Sequence, residues 1–569
     1  MNDYKRKRGA LPGRLTCLAA LLAVPAFASA EGLGIGDSFK VDGYLQQAFS
    51  WNTKNWADTP NYNDRWKMSM ARTTLRLNTD WQATDNVAVV AKLRGSREYK
   101  TDFLKHLERM NYADGSASYF GATGANNYGS GDHGNIMNMY NRGEVRELYV
   151  DWQATERVKF RFGKQQVVWG ETDFFAANDL VHGFDYTWRS FLEPNNEELR
   201  KTLIILKANI DVPEASGAIE AFIRPGWDNK KDIGTNLDIY GGRWSSQPYA
   251  GLDFRNVDPF DYSNSKGDYK DVTGGIRWNG TTSSFNYSLS YLRTFWTSPI
   301  LNGSSTMKIL NPPGTGCPAI APSGVDTWGG ADVIDTKGQC SAGSIIFPIV
   351  NIFGATMSGY AAWADAVFSA EVAYVKDAPY QVNWPDGYLP NGFLTISSII
   401  APGFDGLKKK NLITWMARMD KNIAATQSLL GTEKPMFFSV QLFDKWVQNY
   451  DKKDNLINSV GWGAKTKEHS FLLTGIFSLS YDNGRIQPGF VVGTDLTYKG
   501  GFYVPSVTVE LSKNLKWKTE YDGFWDGGRW RDAKKCNNAA AQGSNCDNAG
   551  LFGYFHNRDQ LFTSLTYQF

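Results

Sequence analysis

Between Ala71 and Gln82 the chain follows a two-residue alternation. Arg72, Thr74, Arg76, Asn78, Asp80 and Gln82 fall on one side, and Ala71, Thr73, Leu75, Leu77 and Trp81 on the other. Successive side chains of a strand point to opposite faces, so this segment suits a wall with water on one side and hydrocarbon on the other. After Ala30 no segment approaches the ~20 consecutive apolar residues that a spanning helix needs. Aromatic residues are nevertheless abundant, with 20 Trp, 27 Tyr and 33 Phe. Only helices and closed barrels satisfy every backbone polar group inside lipid. Without helices, the expected fold is all-β: a transmembrane antiparallel up-and-down β-barrel. A formal charge of +2 and low aliphatic content fit a wet inner wall.

Strand-length segments recur near 38–50, 66–82, 85–98, 142–154, 156–168, 199–211, 216–225, 270–279 and 282–296. They continue near 345–358, 365–376, 408–420, 434–448, 469–482, 485–498, 501–512, 514–526 and 558–569. Thr84-Asp85, Thr155-Glu156, Asn279-Gly280, Asp482-Asn483-Gly484 and Ser512-Lys513-Asn514 carry hairpin turn chemistry. The intervening connections, such as 99–141, 226–269, 297–344, 377–407 and 527–557, are long and polar. Short periplasmic turns alternating with long outer loops return both chain ends to the periplasmic side. The 421–433 connection is long for a turn and Lys499-Gly500 is short for an outer loop, so the expected total is about 18 strands, within 16–18.

The two ends agree with export. Lys5, Arg6, Lys7, Arg8 and Arg14 precede an apolar run from Leu15 to Phe27 that ends in Ala28-Ser29-Ala30. This is the layout of a cleavable secretory signal over residues 1–30, with Glu31 as the mature start and residues 31–569 as a single barrel domain. The run is too short, and lacks basic residues beyond it, for a membrane anchor. At the other end Leu561, Leu565, Tyr567 and Phe569 share a face, with Thr563 between them. A terminal Phe behind an aromatic resembles the signal that the barrel-assembly machinery reads, with Leu565, Tyr567 and Phe569 carrying it. The expected location is the outer membrane of a Gram-negative bacterium, in contact with its lipid and lipopolysaccharide.

Of five cysteines, Cys17 belongs to the signal. Cys317, Cys340, Cys536 and Cys546 remain, in Gly/Asn/Ser-rich stretches of an oxidising compartment, and suggest two loop disulfides. The most local of three connectivities is Cys317–Cys340 with Cys536–Cys546. No His accompanies either pair at metal-ligand spacing.

Three blocks carry a resemblance. Phe160-Arg161-Phe162-Gly163-Lys164-Gln165-Gln166-Val167-Val168-Trp169-Gly170-Glu171-Thr172-Asp173 resembles the distinctive block of a porin-like proteobacterial outer-membrane family catalogued as a domain of unknown function. That family usually reads Leu-Arg-Leu-Gly-Arg-Gln before Val-Val-Trp-Gly. Glu371-Val372-Ala373-Tyr374-Val375-Lys376-Asp377 resembles a second block, and Asn557-Arg558-Asp559 a third. Here Ser369-Ala370 replace the Arg-Gly that often precedes the second block. His182-Gly183-Phe184-Asp185 stands where the family commonly has an Asn-Pro-Leu/Gln-Asp turn. The resemblance spans most of the mature chain and implies a pore-like barrel without naming a solute. It also implies partners among inner-membrane RND-type exporters and periplasmic lipid-carrier-like proteins.

Alternation places Arg72, Arg76, Lys92, Arg94, Lys159 and Arg161 on the inward face. The connection 169–198, third on the outer side, carries Glu171, Asp173, Asp179, Asp185, Glu193, Glu197 and Glu198. Folded into the barrel, these acids would face a basic wall and form a constriction that selects by charge and dipole. The plainer reading pairs the bases with lumen acids such as Asp80 and makes them stiffeners of the wall. Trp51, Trp56, Trp66, Trp81, Trp152, Trp278, Trp517 and Trp525 read as interfacial girdles, with an aromatic slide for cargo as the rival.

Five His and no Ser/His pairing leave catalysis without a motif, and no phosphate loop follows a strand. Dispersed basic residues leave no nucleic-acid footprint. No cofactor or metal is expected. The leading expectation is a passive pore for small solutes. The alternatives are a barrel handling hydrophobic compounds, by uptake or by export beside an RND-type system, and a structural or adhesive surface barrel.

Overall fold

The computed structural model describes residues 33–34, 38–55, 63–105, 137, 140–170, 175–189, 192–193, 195–228, 232–235, 257–258, 272–302, 307–308, 319–320, 343–382, 406–457, 465–526, 552, 555 and 557–569. Eighteen strands form a closed antiparallel ring. They are β1 (Phe39–Asn52), β2 (Met68–Thr84), β3 (Val87–Glu98), β4 (Arg142–Thr155), β5 (Val158–Gln165) and β6 (Leu203–Val212). Next come β7 (Gly217–Arg224), β8 (Thr273–Thr281), β9 (Asn286–Phe295), β10 (Ile349–Ala361), β11 (Ala366–Val382) and β12 (Leu407–Ile423). The ring ends with β13 (Met436–Val447), β14 (His469–Ser478), β15 (Ile486–Asp495), β16 (Gly500–Glu510), β17 (Leu515–Trp525) and β18 (Gln560–Gln568). Each strand pairs with its sequence neighbours, and β18 closes on β1 from Tyr44↔Gln568 to Asn52↔Gln560. Gly43 and Phe569 complete the seam by exchanging backbone hydrogen bonds of 3.0 and 3.1 Å. Closure leaves no strand edge unpaired, which hydrocarbon demands.

Both connections that strained the sequence pattern fit the eighteen-strand count. The long turn before β13 holds a short helix, α1 (Ala425–Leu430), stopped by Gly431 at φ 65°. Its Thr426 hydroxyl accepts from Met436 N at 2.9 Å and ties the helix to the next strand. Between β15 and β16 four residues suffice, because Asp495 accepts from Thr497 N and Tyr498 N at 3.0 and 2.8 Å. Lys499 then turns with φ 61°.

The outward face is greasy. Leu75, Leu148, Leu289, Phe353 and Met357 are 40–57% exposed on it, a state that only a hydrocarbon surround makes favourable over so many positions. Trp81, Trp152 and Trp517 stand exposed toward the turn ends of their strands, and Trp66 toward the loop end, as interfacial rings do. Trp56 lies outside the described residues. One irregularity changes the lumen: Lys92 opposes Glu147 and Leu93 opposes Val145, leaving Arg146 as an extra residue in β4. This bulge turns both Arg146 and Glu147 inward, 3% and 4% exposed.

Candidate functional site

The third loop-end connection, 166–202, enters the ring. Its root is set by β5. Gly163 has φ +136°, and a Cβ there would stand 2.2 Å from Leu148 O. Gln165, fully buried, donates to Ile205 O at 2.9 Å and pins the last pair of β5 and β6. Trp169 then turns inward, its indole N–H donating 2.5 Å to Glu220 on β7. With Val167 and Val181 it joins an apolar cluster built from the inner faces of β6 to β13, including Ile205, Phe222 and Leu292.

From this root the loop crosses the lumen. Asn178 N donates to Glu371 on β11 at 3.0 Å, and Ala177 O accepts from Thr414 on β12 at 2.8 Å. Phe175 packs on Phe502 of β16, and Leu192 joins the same cluster with Phe502 and Phe524 of β17. Arg189 pairs with Glu520 and Asp522 of β17, its guanidinium 3.7 Å from the Phe562 ring of β18. Glu371, Thr414 and Glu520 sit in the middle of their strands, and Phe502, Phe524 and Phe562 nearer the loop ends, so the loop lies within the barrel.

The crossing ends against the basic wall of β2 to β4. A short helix, α2 (Asn196–Leu199), is capped by Asn195, whose side chain accepts from Glu197 N at 3.0 Å. Glu198 accepts from Arg94 at 2.7 Å, from Arg76 at 3.3 Å and from the Tyr44 hydroxyl at 3.2 Å. Glu197 accepts from Arg76 at 2.8 Å and Lys92 at 3.1 Å. Arg146, the bulge residue, donates to the carbonyls of Glu197 and Arg200 at 2.7 and 2.6 Å, where a helix end leaves acceptors unmet. Next to this clasp the Trp188 ring lies 3.8 Å from the Arg94 guanidinium, 4.3 Å from Arg72 and 5.7 Å from Arg142. Cations over a desolvated indole are attracted by its negative face.

The bases and acids marked by the sequence thus divide. Arg76, Lys92 and Arg94 meet loop carboxylates, whereas Arg72 pairs with Glu98 of β3 at 2.8 Å and donates to the Trp188 carbonyl at 2.8 Å. Lys159 and Arg161 pair instead with Asp151 of β4 at 2.9 and 2.6 Å, within the wall. Asp185 pairs with Arg142, and Asp179 with Arg200 of the same loop. Glu171, Asp173 and the four cysteines Cys317, Cys340, Cys536 and Cys546 lie outside the described residues. Glu144, Arg146, Trp188 and Arg189 were not singled out by sequence reasoning. The only signal for Arg189 is its place in an acidic loop, and for Arg146 none exists, since a bulge does not show in the alternation.

Burial sets the protonation of the loop. His182 accepts from Val167 N at 2.8 Å, and burial, helped by the Arg200 charge, lowers its pKa to about 3. Burial would raise Asp185, but Arg142 and the Thr187 hydroxyl at 2.5 Å overcome it and hold the pKa at about 2. Lys201, whose Nζ donates to Gly234 O at 2.8 Å, falls to about 7 through burial despite Asp185 and Asp232.

Under the clasp the lumen is open and polar. One chamber of about 470 Å³ is lined by Lys92, Glu147, Arg161, Gln166, Glu197 and Arg200, among others. A second, of about 330 Å³, lies nearer the turns against Lys159, Asn209, Asp211 and Glu220.

A family model described as "Protein of unknown function (DUF1302)" matches residues 11–569. The chain belongs to this family. No curated protein matches it. Solved structures with a similar fold include OccAB3 of Acinetobacter baumannii, at 6% identity, covering 93% of this chain and 99% of that one with a TM-score of 0.43. The outer-membrane protein OpdK of Pseudomonas aeruginosa gives 7%, 94% and 99%, and 0.40. An anion-selective porin from Comamonas acidovorans gives 9%, 94% and 99%, and 0.34. In this DUF1302 chain the distinctive block is the root of the inward loop. Gly163, Gln165, Val167 and Trp169 aim the chain from the wall into the lumen. The Asn557-Arg558-Asp559 block clasps the seam: Asp559 pairs with Lys54 at 2.9 Å and accepts from Tyr521 at 2.9 Å.

Proposed function

We propose that the protein is an outer-membrane channel for small polar solutes, with the 166–202 loop as its constriction and gate. One observation carries this: the loop crosses the barrel at mid-height, tied to opposite walls, above a charged chamber on the turn side. Inward residues at its level, among them Arg76, Arg94, Ile205, Phe222, Met416, Phe443 and Phe502, are buried. The seated loop therefore leaves little room, and passage requires its acidic end to leave the basic wall. A chamber walled by Lys92–Glu147, Lys92–Glu197 and Arg161–Asp151 pairs presents opposed charges to a solute, which favours dipolar over apolar cargo. Planar-bilayer recording tests the reading. Excising residues 186–193 in favour of a Gly-Ser-Gly link should raise unit conductance, and a folded variant with wild-type conductance would count against it.

A further inference from the structure

On the outward face of β9, β10 and β11 the registers align two rows. Arg293, Asn351 and Lys376 stand directly opposite one another near the loop end. One step toward the membrane centre stand Tyr291, Phe353 and Tyr374. Both rows face out, because the intervening Leu292, Ile352 and Val375 are buried in the lumen cluster. The lower row is an aromatic belt: the Tyr291 and Phe353 rings are 5.1 Å apart, and Phe353 is 51% exposed. Such rings sit at the boundary between hydrocarbon and headgroups. The upper row is therefore at headgroup level, and two of its three members are cations.

Arg293 and Asn351 are held in place. Tyr291 OH donates to Asn351 Oδ1 at 2.9 Å, which leaves the amide N–H groups of Asn351 to face the headgroups. The Arg293 guanidinium donates to Val272 O. Among the described residues no carboxylate pairs with Arg293 or with the exposed Lys376. Arg293 and Lys376 are two strand spacings apart, roughly 10 Å, so their side chains can converge over Asn351 on one phosphate.

We infer that this patch binds a phosphorylated glycolipid of the lipid A type in the outer leaflet. Its phosphate would lie on Arg293, Asn351 and Lys376, and its acyl chains along Tyr291, Phe353 and the apolar wall below. The match is one of charge and of level: two cations directly above a belt that marks where phosphate begins. The inference rests on the outer-membrane reading but not on conduction, so a bilayer result leaves it standing.

Native mass spectrometry of the mature protein, refolded in an uncharged detergent, tests it. The probes are lipid A with both phosphates, dephosphorylated lipid A, phosphatidylglycerol, and inorganic phosphate as competitor. Phosphorylated lipid A should be retained selectively, and R293S/K376S should bind it roughly 30-fold more weakly. R97S, removing an outward cation on β3, should bind as wild type. Should the double variant lose its heat-modifiable folded form, K376Q alone should still weaken binding severalfold. Equal retention of dephosphorylated lipid A or phosphatidylglycerol, displacement by inorganic phosphate alone, or undiminished binding by the folded variants would overturn it.

Discussion

Glu198→Gln is the sharpest probe of the proposed gate. The side chain keeps its size but loses a charge held by Arg94 at 2.7 Å and Arg76 at 3.3 Å. Both guanidinium groups are buried, with side chains 0% and 3% exposed, and Glu198 itself is 10% exposed. Breaking a buried pair costs about 3–5 kcal/mol because the surviving charge is stranded. Coulomb's law gives a similar scale, about 4 kcal/mol for charges 4 Å apart at an effective dielectric of 20. Here Arg94 keeps Glu144 at 2.6 Å and Arg76 keeps Glu197 at 2.8 Å, which places the expected loss at the low end. A loss of about 3 kcal/mol shifts the seated-to-released ratio of the loop roughly a hundredfold. Single-channel recording reads this as an open fraction that rises by about that factor until it saturates. Glu214→Gln is the control: its pair with Arg157 is 2.7 Å long but exposed on both sides, so conduction should not change. If Glu198→Gln folds and its open fraction and gating voltage match wild type, the clasp does not govern the pore.

Three further outcomes are expected. His182 is buried and neutral with a pKa of about 3, below its unfolded value, so its contribution is present above about pH 6.5 and fades as pH falls toward 3. Protease accessibility of the loop should therefore rise between pH 6.5 and 4, and His182→Gln, which keeps an acceptor for Val167 N, should flatten that rise. Gly163→Ala forces a side chain onto φ +136° and against Leu148 O. It should lower stability by at least ~1–3 kcal/mol, read as a reduced urea midpoint in micelles. Intact mass and peptide mapping of protein purified from membranes should show a chain beginning at Glu31, with Cys317 joined to Cys340 and Cys536 to Cys546. A free-thiol count of four would refute the pairing.

Much of the fold was legible because a barrel wall is written locally. The two-residue period of Ala71–Gln82 follows from where side chains point along a strand, and all eighteen expected segments coincide with strands of the ring. The candidate site was legible only in outline. Alternation put Arg72, Arg76, Lys92 and Arg94 on the inner face, and connection order put an acidic loop opposite them. It could not distinguish Asp179, which turns back to Arg200, from Glu198, which spans to Arg76 and Arg94. Nor could it see Arg146, because the extra residue in β4 breaks the phase on which the reading depends.

The sequence by itself determined that this chain is a membrane barrel. With no greasy helix, its backbone can be satisfied in lipid only by strand pairing around a ring, and the pattern needed for that lies in neighbouring residues. Tertiary structure alone decided which acids of the inward loop meet the wall and which bases hold them. Several of those contacts join residues more than a hundred positions apart, as in Arg94 with Glu198 or Arg189 with Glu520. Ion pairing depends on distance and burial in space, and a one-dimensional pattern encodes neither.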